Sequence, residues 1–252
     1  MYSFPWDDRV TLDAIWGEQL ECLQFALANG CPIHIDACTA AARSGHLDFL
    51  VILHQYNAPW NESATAGAAA TGHLLCLQYL HENGCPWGAD TPLHAAYNAH
   101  EECLRYAINN GCTYDAHLVY ASTVGGSLGC LQYVVDAMGV YMDTDGCMFA
   151  DAVWYGRIHS LKYLLDVGCP TGDLVLEDDG FGTFFDNYDV SSADYDTRDS
   201  RICECIEYAA HRGWRGNQLF VELVCQYQED LPTCWNYILE NSEIINYCIP
   251  TG

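Results

Sequence analysis

The chain has 252 residues, half of them apolar, and its 34 Asp and Glu against nine Lys and Arg give a formal net charge of −25. Such an acidic surface repels nucleic acids and anionic membranes, and it attracts basic proteins. No apolar stretch reaches the roughly 20 residues of a membrane span, and the N-terminus lacks the regions of a secretion signal. We therefore expect a cytoplasmic or nuclear protein that binds neither nucleic acid nor membrane.

A period of 27 residues runs through the first half of the chain. It is clearest at five leucines: Leu23, Leu50, Leu77, Leu104 and Leu131. Self-similarity at a fixed period of this size is typical of stacked repeats, in which each unit packs on its neighbours. The period predicts a repeat protein and favours binding over catalysis.

The clearest repeat unit spans residues 90–113. Thr91 and Pro92 are typical of a helix start, with Thr91 as the N-cap, and predict a first helix over 92–98. Apolar residues at helical spacing predict a second helix over 101–109. Gly111 is expected to end it. The unit is therefore a pair of helices.

Several residue types hold fixed places in the repeat. Small pairs occupy the first helices, at Ala41-Ala42, Ala68-Ala69 and Ala95-Ala96. Histidines precede the second helices, at His46, His73 and His100. We expect these histidines to cap the helices by bonding to the backbone. Trp60 and Trp87 are expected to wedge between adjacent repeats, and the recurring cysteines to serve as small buried apolar residues.

Two motifs resemble those of ankyrin repeats. Thr91-Pro92-Leu93-His94-Ala95-Ala96 is one, and residues 72–87, Gly-His-Leu-Leu-Cys-Leu-Gln-Tyr-Leu-His-Glu-Asn-Gly-Cys-Pro-Trp, are similar to the divergent ankyrin-like repeats of giant DNA viruses, oomycetes and other protists. The resemblance implies an all-α, ankyrin-like helical repeat solenoid. An ankyrin repeat has 33 residues. The shorter unit here predicts shortened fingers between the helix pairs.

The register predicts a single solenoid over residues 1–252. Its repeats are expected at 9–34, 35–61, 62–88, 89–115, 116–143, 144–172, a partial unit at 199–213, and 214–241. Between the sixth and seventh units the register slips, and residues 173–198 carry many carboxylates and few cations. This composition predicts an acidic inserted loop.

The sequence contains no positive sign of catalysis or of a cofactor. Cys31, His34 and Cys38 are metal-ligand types at plausible spacing, but no fourth ligand is near. The acidic loop could hold calcium, although a basic partner explains its charge better. Cys203 and Cys205 are too close for a usual zinc site and would be redox-sensitive if exposed. We expect no metal, no cofactor and no enzymatic activity.

The resemblance implies that the residues after the small pair face the concave surface. The candidate partner-binding residues are Arg43, Tyr97, Asn98, Trp154 and Tyr155. We expect a protein–protein interaction module that uses this face and the acidic loop, with a basic protein favoured by the charge. A structural component of a large particle and a substrate receptor in a ubiquitin-ligase complex remain alternatives, and the oligomeric state is open.

Overall fold

A computed structural model describes residues 6–138, 147–171, 195–214 and 232–241, and these residues form helices and connections without a β-strand. The fourteen helices of this part are α1 (Arg9–Trp16), α2 (Leu20–Ala28), α3 (Ala37–Ser44), α4 (Leu47–Gln55), α5 (Glu62–Ala70), α6 (Leu74–Glu82), α7 (Asp90–Tyr97), α8 (Glu101–Asn109), α9 (His117–Gly125), α10 (Leu128–Met138), α11 (Cys147–Trp154), α12 (Ile158–Asp166), α13 (Tyr195–His211) and α14 (Pro232–Glu240). The predicted all-α helical repeat fold is confirmed.

The chain divides into two units, Met1–Val134 and Val135–Gly252. In the first unit, the first helices α1, α3, α5, α7 and α9 pack side by side in chain order. The second helices α2, α4, α6 and α8 form another layer, each packed on its own first helix. In the second unit, α13 packs on α11, α12 and α14. The bounds of the individual repeats, and their assembly into a single array, stay predictions.

The core of the first unit lies between its two layers. The small pairs of the first helices are fully buried, as Ala41, Ala42, Ala68, Ala69, Ala95 and Ala96 have 0% exposure. The recurring leucines of the second helices are equally buried, at Leu23, Leu50, Leu77, Leu104 and Leu131. Alanine lets the first helices approach closely, and each buried leucine contributes roughly 1.5–3 kcal/mol of hydrophobic stabilisation.

The second helix of the clearest repeat, α8, has the predicted bounds, but the first helix begins earlier than predicted. It starts at Asp90 with Ala89 as its N-cap, so the prediction of Thr91 as the N-cap was wrong. Thr91 lies inside the helix and is fully buried. Its hydroxyl donates to the hydroxyl oxygen of Thr65 over 3.4 Å, which ties α7 to α5 of the preceding repeat.

The turn histidines occupy the N-cap positions but make no capping hydrogen bond through their side chains. The predicted bonds to the backbone were wrong. Instead, the rings of His73 and His100 each pack against a glycine of the preceding repeat. A Cβ built on Gly45 would lie 2.5 Å from Cε1 of His73, and one on Gly72 would lie 2.5 Å from Nδ1 of His100. Both glycines have φ near +77°, so they are needed for backbone conformation as well as for space.

The cysteines at the end of each repeat also bond to the preceding repeat. The thiols of Cys85 and Cys112 donate to the carbonyl oxygens of Asn61 and Gly88, over 3.3 and 3.2 Å. Burial raises the pKa of the Cys85 thiol to about 12. These thiols therefore stay protonated at neutral pH and act as both packing groups and hydrogen-bond donors.

Trp60 and Trp87 join successive second helices, which supports their predicted structural role. Trp87 stacks on His81 with ring centroids 3.8 Å apart. Nδ1 of His81 in turn lies 2.9 Å from the hydroxyl of Tyr106 in the next second helix. The preceding repeat has the same arrangement, with Trp60 on His54 and His54 bonded to the hydroxyl of Tyr79.

The connections between helix pairs are short in the first unit and contain no strand. They span 29–36, 56–61, 83–89 and 110–116. This agrees with the prediction of shortened fingers. Most of the predicted acidic loop lies outside the described residues, but α13 begins at Tyr195, so its last residues, 195–198, are helical.

Two glycine substitutions should separate backbone strain from ring packing. Gly84→Ala introduces only the strain of the left-handed backbone, because no atom lies within 4 Å of a Cβ built at that position. It should lower the free energy of unfolding by about 1–2 kcal/mol. Gly72→Ala also collides with the His100 ring and should cost about 1–3 kcal/mol more. Chemical denaturation measures both, and equal losses would show that the ring contact contributes nothing.

Candidate partner-binding face

The first helices of the first unit leave one stripe of residues uncovered. On α3 this stripe includes Thr39 and Arg43, on α5 it includes Ala66, and on α7 it includes Leu93 and Tyr97. All are half-buried except Arg43, which is exposed. Because α3, α5 and α7 pack side by side, the three stripes form a continuous surface, which we call the first-helix face.

Arg43 crosses the middle of this face. A Cβ built on Gly67 of α5 would lie 2.7 Å from Cγ of Arg43, so the aliphatic part of Arg43 rests on that glycine. The positive charge of Arg43 also helps to lower the pKa of His94 on α7. The side chain of Arg43 therefore reaches from α3 over α5.

His94 belongs to this face, although the sequence assigned it only to the repeat motif. Burial is the main cause that lowers its pKa, Asp90 opposes the shift, and Arg43 adds to it. The imidazole is therefore neutral at pH 7, where it can donate or accept a hydrogen bond. Its place one turn before Tyr97 could have been found from helical spacing.

Tyr97 and Asn98 have different positions although they are adjacent in sequence. Tyr97 ends α7 on the first-helix face and is half-buried. Asn98 is the C-cap, and its side-chain amide donates to the carbonyl oxygen of His94 over 2.9 Å. Thr71, at the same place in the preceding repeat, donates to the carbonyl oxygen of Gly67 over 3.0 Å. The residue at this repeat position therefore caps the C-terminal end of the first helix.

Trp154 and Tyr155 lie in the second unit. Trp154 is the last residue of α11, and Tyr155 follows it with its backbone N–H bonded to the carbonyl oxygen of Asp151 over 2.9 Å. Both side chains are half-buried. Each retains some accessible surface, as a partner contact requires. Of the five predicted site residues, Arg43 and Tyr97 lie on the first-helix face.

The cysteines and histidine considered for zinc have other surroundings. The Cys31 thiol lies 3.5 Å from the carbonyl oxygen of Asp7. Nδ1 of His34 accepts the backbone N–H of Asp36 over 3.1 Å. Burial raises the pKa of Cys38 to about 11. Across the four described segments, no group of three or more His, Cys, Asp or Glu side chains is placed to hold a metal ion.

A groove between α2 and α4 was not anticipated from the sequence. It is open to solvent, has a volume of about 670 Å³, and is lined by Leu20, Gln24, Leu47, Val51 and Ile52 among others. Leu20 and Leu47 share one repeat position, the first residue of a second helix. The recurrence of leucine at this position could have indicated the groove from the sequence.

The described helices are also too short or too polar for any of them to cross a membrane.

Comparison with solved structures shows an ankyrin repeat fold. The ankyrin repeat domain of human ASB11 superimposes with a TM-score of 0.54 at 17% sequence identity, covering 64% of this chain and 84% of that one. No protein-family model matches the sequence. A search of curated proteins also finds no match. The repeated helix pairs of this chain therefore have an ankyrin-like fold.

Replacing Asn98 by Ala tests the capping role of this residue. The variant loses the bond to the carbonyl oxygen of His94, and the free energy of unfolding should fall by about 0.5–1.5 kcal/mol. Urea denaturation measures the change. Asn98→Thr is the matched control, because Thr71 makes the same bond in the preceding repeat, and it should recover much of the loss. An unchanged stability in Asn98→Ala would contradict the capping role.

Proposed function

We propose that this chain is a non-enzymatic protein–protein interaction module that binds its partner through the first-helix face. The proposal rests on one repeat position at which the residue type varies, although the residues just before it stay the same from repeat to repeat. Arg43, Ala70 and Tyr97 occupy one repeat position and range from charged to small to aromatic. The small pairs just before them are buried completely in all three repeats.

The side chains of the face suit a protein ligand. The aliphatic part of Arg43 lies on Gly67, and Arg43 and Tyr97 both keep accessible surface. Arg and Tyr are among the residue types that contribute most energy at protein interfaces. Trp154 and Tyr155 are proposed as partner contacts of the second unit by themselves.

We propose a basic partner, because the chain carries a net charge of −25. The acidic residues of 173–198 would add to this attraction. Long-range attraction of this kind speeds encounter and discriminates against acidic proteins and nucleic acids. We also propose that the protein works in the reducing cytosol or nucleus, because none of the twelve cysteines whose side chains the structure describes forms a disulfide.

Affinity purification of the full chain from its native cell, followed by mass spectrometry, tests the binding face. Arg43→Ala/Tyr97→Ala and Trp154→Ala/Tyr155→Ala should each lose a partner at least tenfold, as expected when about 1.4 kcal/mol or more of binding free energy is removed. Leu75→Ala is the control, since Leu75 is 67% exposed on the second-helix layer, and it should keep the partner.

The same purification separates the proposal from its alternatives. A partner set that is equal in all variants would reject the first-helix face as the binding site. Recovery only as a stoichiometric part of a large particle would favour the structural role. Recovery with ubiquitin-ligase subunits would favour a substrate receptor.

The salt dependence of binding tests the charge of the partner. Raising the ionic strength from about 0.05 to 0.5 M shortens the range of electrostatic attraction several-fold. With a basic partner the association rate should fall by about ten-fold or more, while the dissociation rate changes less. Surface plasmon resonance measures both rates, and an association rate insensitive to salt would exclude electrostatic recruitment.

A further inference from the structure

One pair of cysteines in the second unit lies outside the repeat pattern. Cys203 is on α13 and Cys234 is on α14, and the two helices pack together. The carboxylate of Asp199 joins them, because it accepts the backbone N–H groups of Thr233 and Cys234 over 2.7 and 3.0 Å. The first turn of α14 is therefore fixed against α13 beside Asp199.

The two thiols converge on the same turn of α13. The sulfur of Cys234 lies 3.4 Å from the carbonyl oxygen of Asp199. Cys203 is one helical turn after Asp199, and helical side chains lean towards the N-terminus, so its thiol covers that same turn. Each thiol also perturbs the other through a hydrogen bond, which lowers the pKa of Cys203 and raises that of Cys234.

We propose that Cys203 and Cys234 form a reversible disulfide when the protein meets a hydroperoxide, and that this bond fastens α14 to α13. The two cysteines have the environments that such a reaction needs. Cys203 is half-buried and so within reach of a small oxidant, whereas Cys234 is fully buried beside it. A more acidic, accessible thiol is the one that reacts first with peroxide.

The reaction balances in two steps. The thiolate sulfur of Cys203 attacks one oxygen of the hydroperoxide, the O–O bond breaks, and Cys203 becomes a sulfenic acid while the other oxygen leaves as an alcohol or water. The sulfur of Cys234 then attacks the sulfur of Cys203, the S–O bond breaks, and the hydroxyl leaves as water with the proton of Cys234. The two thiols lose two electrons, and the peroxide gains them. A dithiol reductant reverses the change by exchange.

Cys205 shows why the pair is specific. It lies two residues from Cys203 on the same helix, but it is fully buried and its thiol faces the carbonyl oxygen of Ala152. Burial is the main cause that raises its pKa to about 12. The Cys203-x-Cys205 spacing in the sequence pointed to redox chemistry, and the structure assigns the partner of Cys203 to another helix.

Peptide mapping of the oxidised full chain tests the proposal. The reduced protein is treated with hydrogen peroxide, its remaining thiols are alkylated, and it is digested for mass spectrometry. We expect a linked peptide pair joining Cys203 to Cys234, about 2 Da lighter than the two thiol peptides together and lost on reduction. Cys22→Ser is the control, since Cys22 is exposed in the first unit, and it should keep the link.

A second measurement guards against crosslinks formed in unfolded chains. Wild-type α14 should exchange its amide hydrogens more slowly after oxidation, whereas Cys203→Ser should show no change on the same treatment. The proposal is overturned if Cys203 is found linked to another cysteine, or oxidised to a sulfinic acid while Cys234 stays open to alkylation. It is equally overturned if both thiols survive oxidant that modifies Cys22.

Discussion

The close approach of neighbouring first helices is the constraint on which the first unit depends. The alanine pairs at Ala41, Ala68 and Ala95 are fully buried between helices, so a larger side chain there would force the repeats apart. Each inner first helix, α3, α5 and α7, must pack against another first helix on both sides. This requirement is reflected in the sequence, where the repeat length is constant and the same small residues recur at the same positions.

Directional contacts between repeats then build on the constant spacing. Burial of leucines is favourable in many registers, because the hydrophobic effect has little directional preference. Hydrogen bonds are more selective. The thiol of Cys112 reaches the carbonyl oxygen of Gly88, and the ring of His81 reaches the hydroxyl of Tyr106, only when the helices are in register. Such contacts select one stacking among those that the apolar core would allow.

Features tied to the period could be predicted from the sequence, whereas most contacts between particular neighbouring side chains could not. Leucine spacing located the second helices, and α8 has its predicted bounds. The same spacing could not show that the His100 ring lies on Gly72, because a period does not say which neighbour a side chain meets. For the same reason Asn98 was grouped with Tyr97, although one caps α7 and the other lies on the first-helix face. Cys203 and Cys234 belong to no shared register position.

The residues that pack between repeats differ from those on the surface, and this difference explains how repeats of so acidic a chain can pack together. Contacts between repeats use alanine, leucine, thiols and hydroxyls, so the carboxylates are left to the surface and can act on a partner at long range. Asp199 is a buried exception within the described residues. Burial alone would raise its pKa, but hydrogen bonds from Thr233 and Cys234 outweigh this and leave the pKa below its usual value. The charge is tolerated there because it faces the N-terminal turn of α14, where backbone N–H groups lack partners of their own.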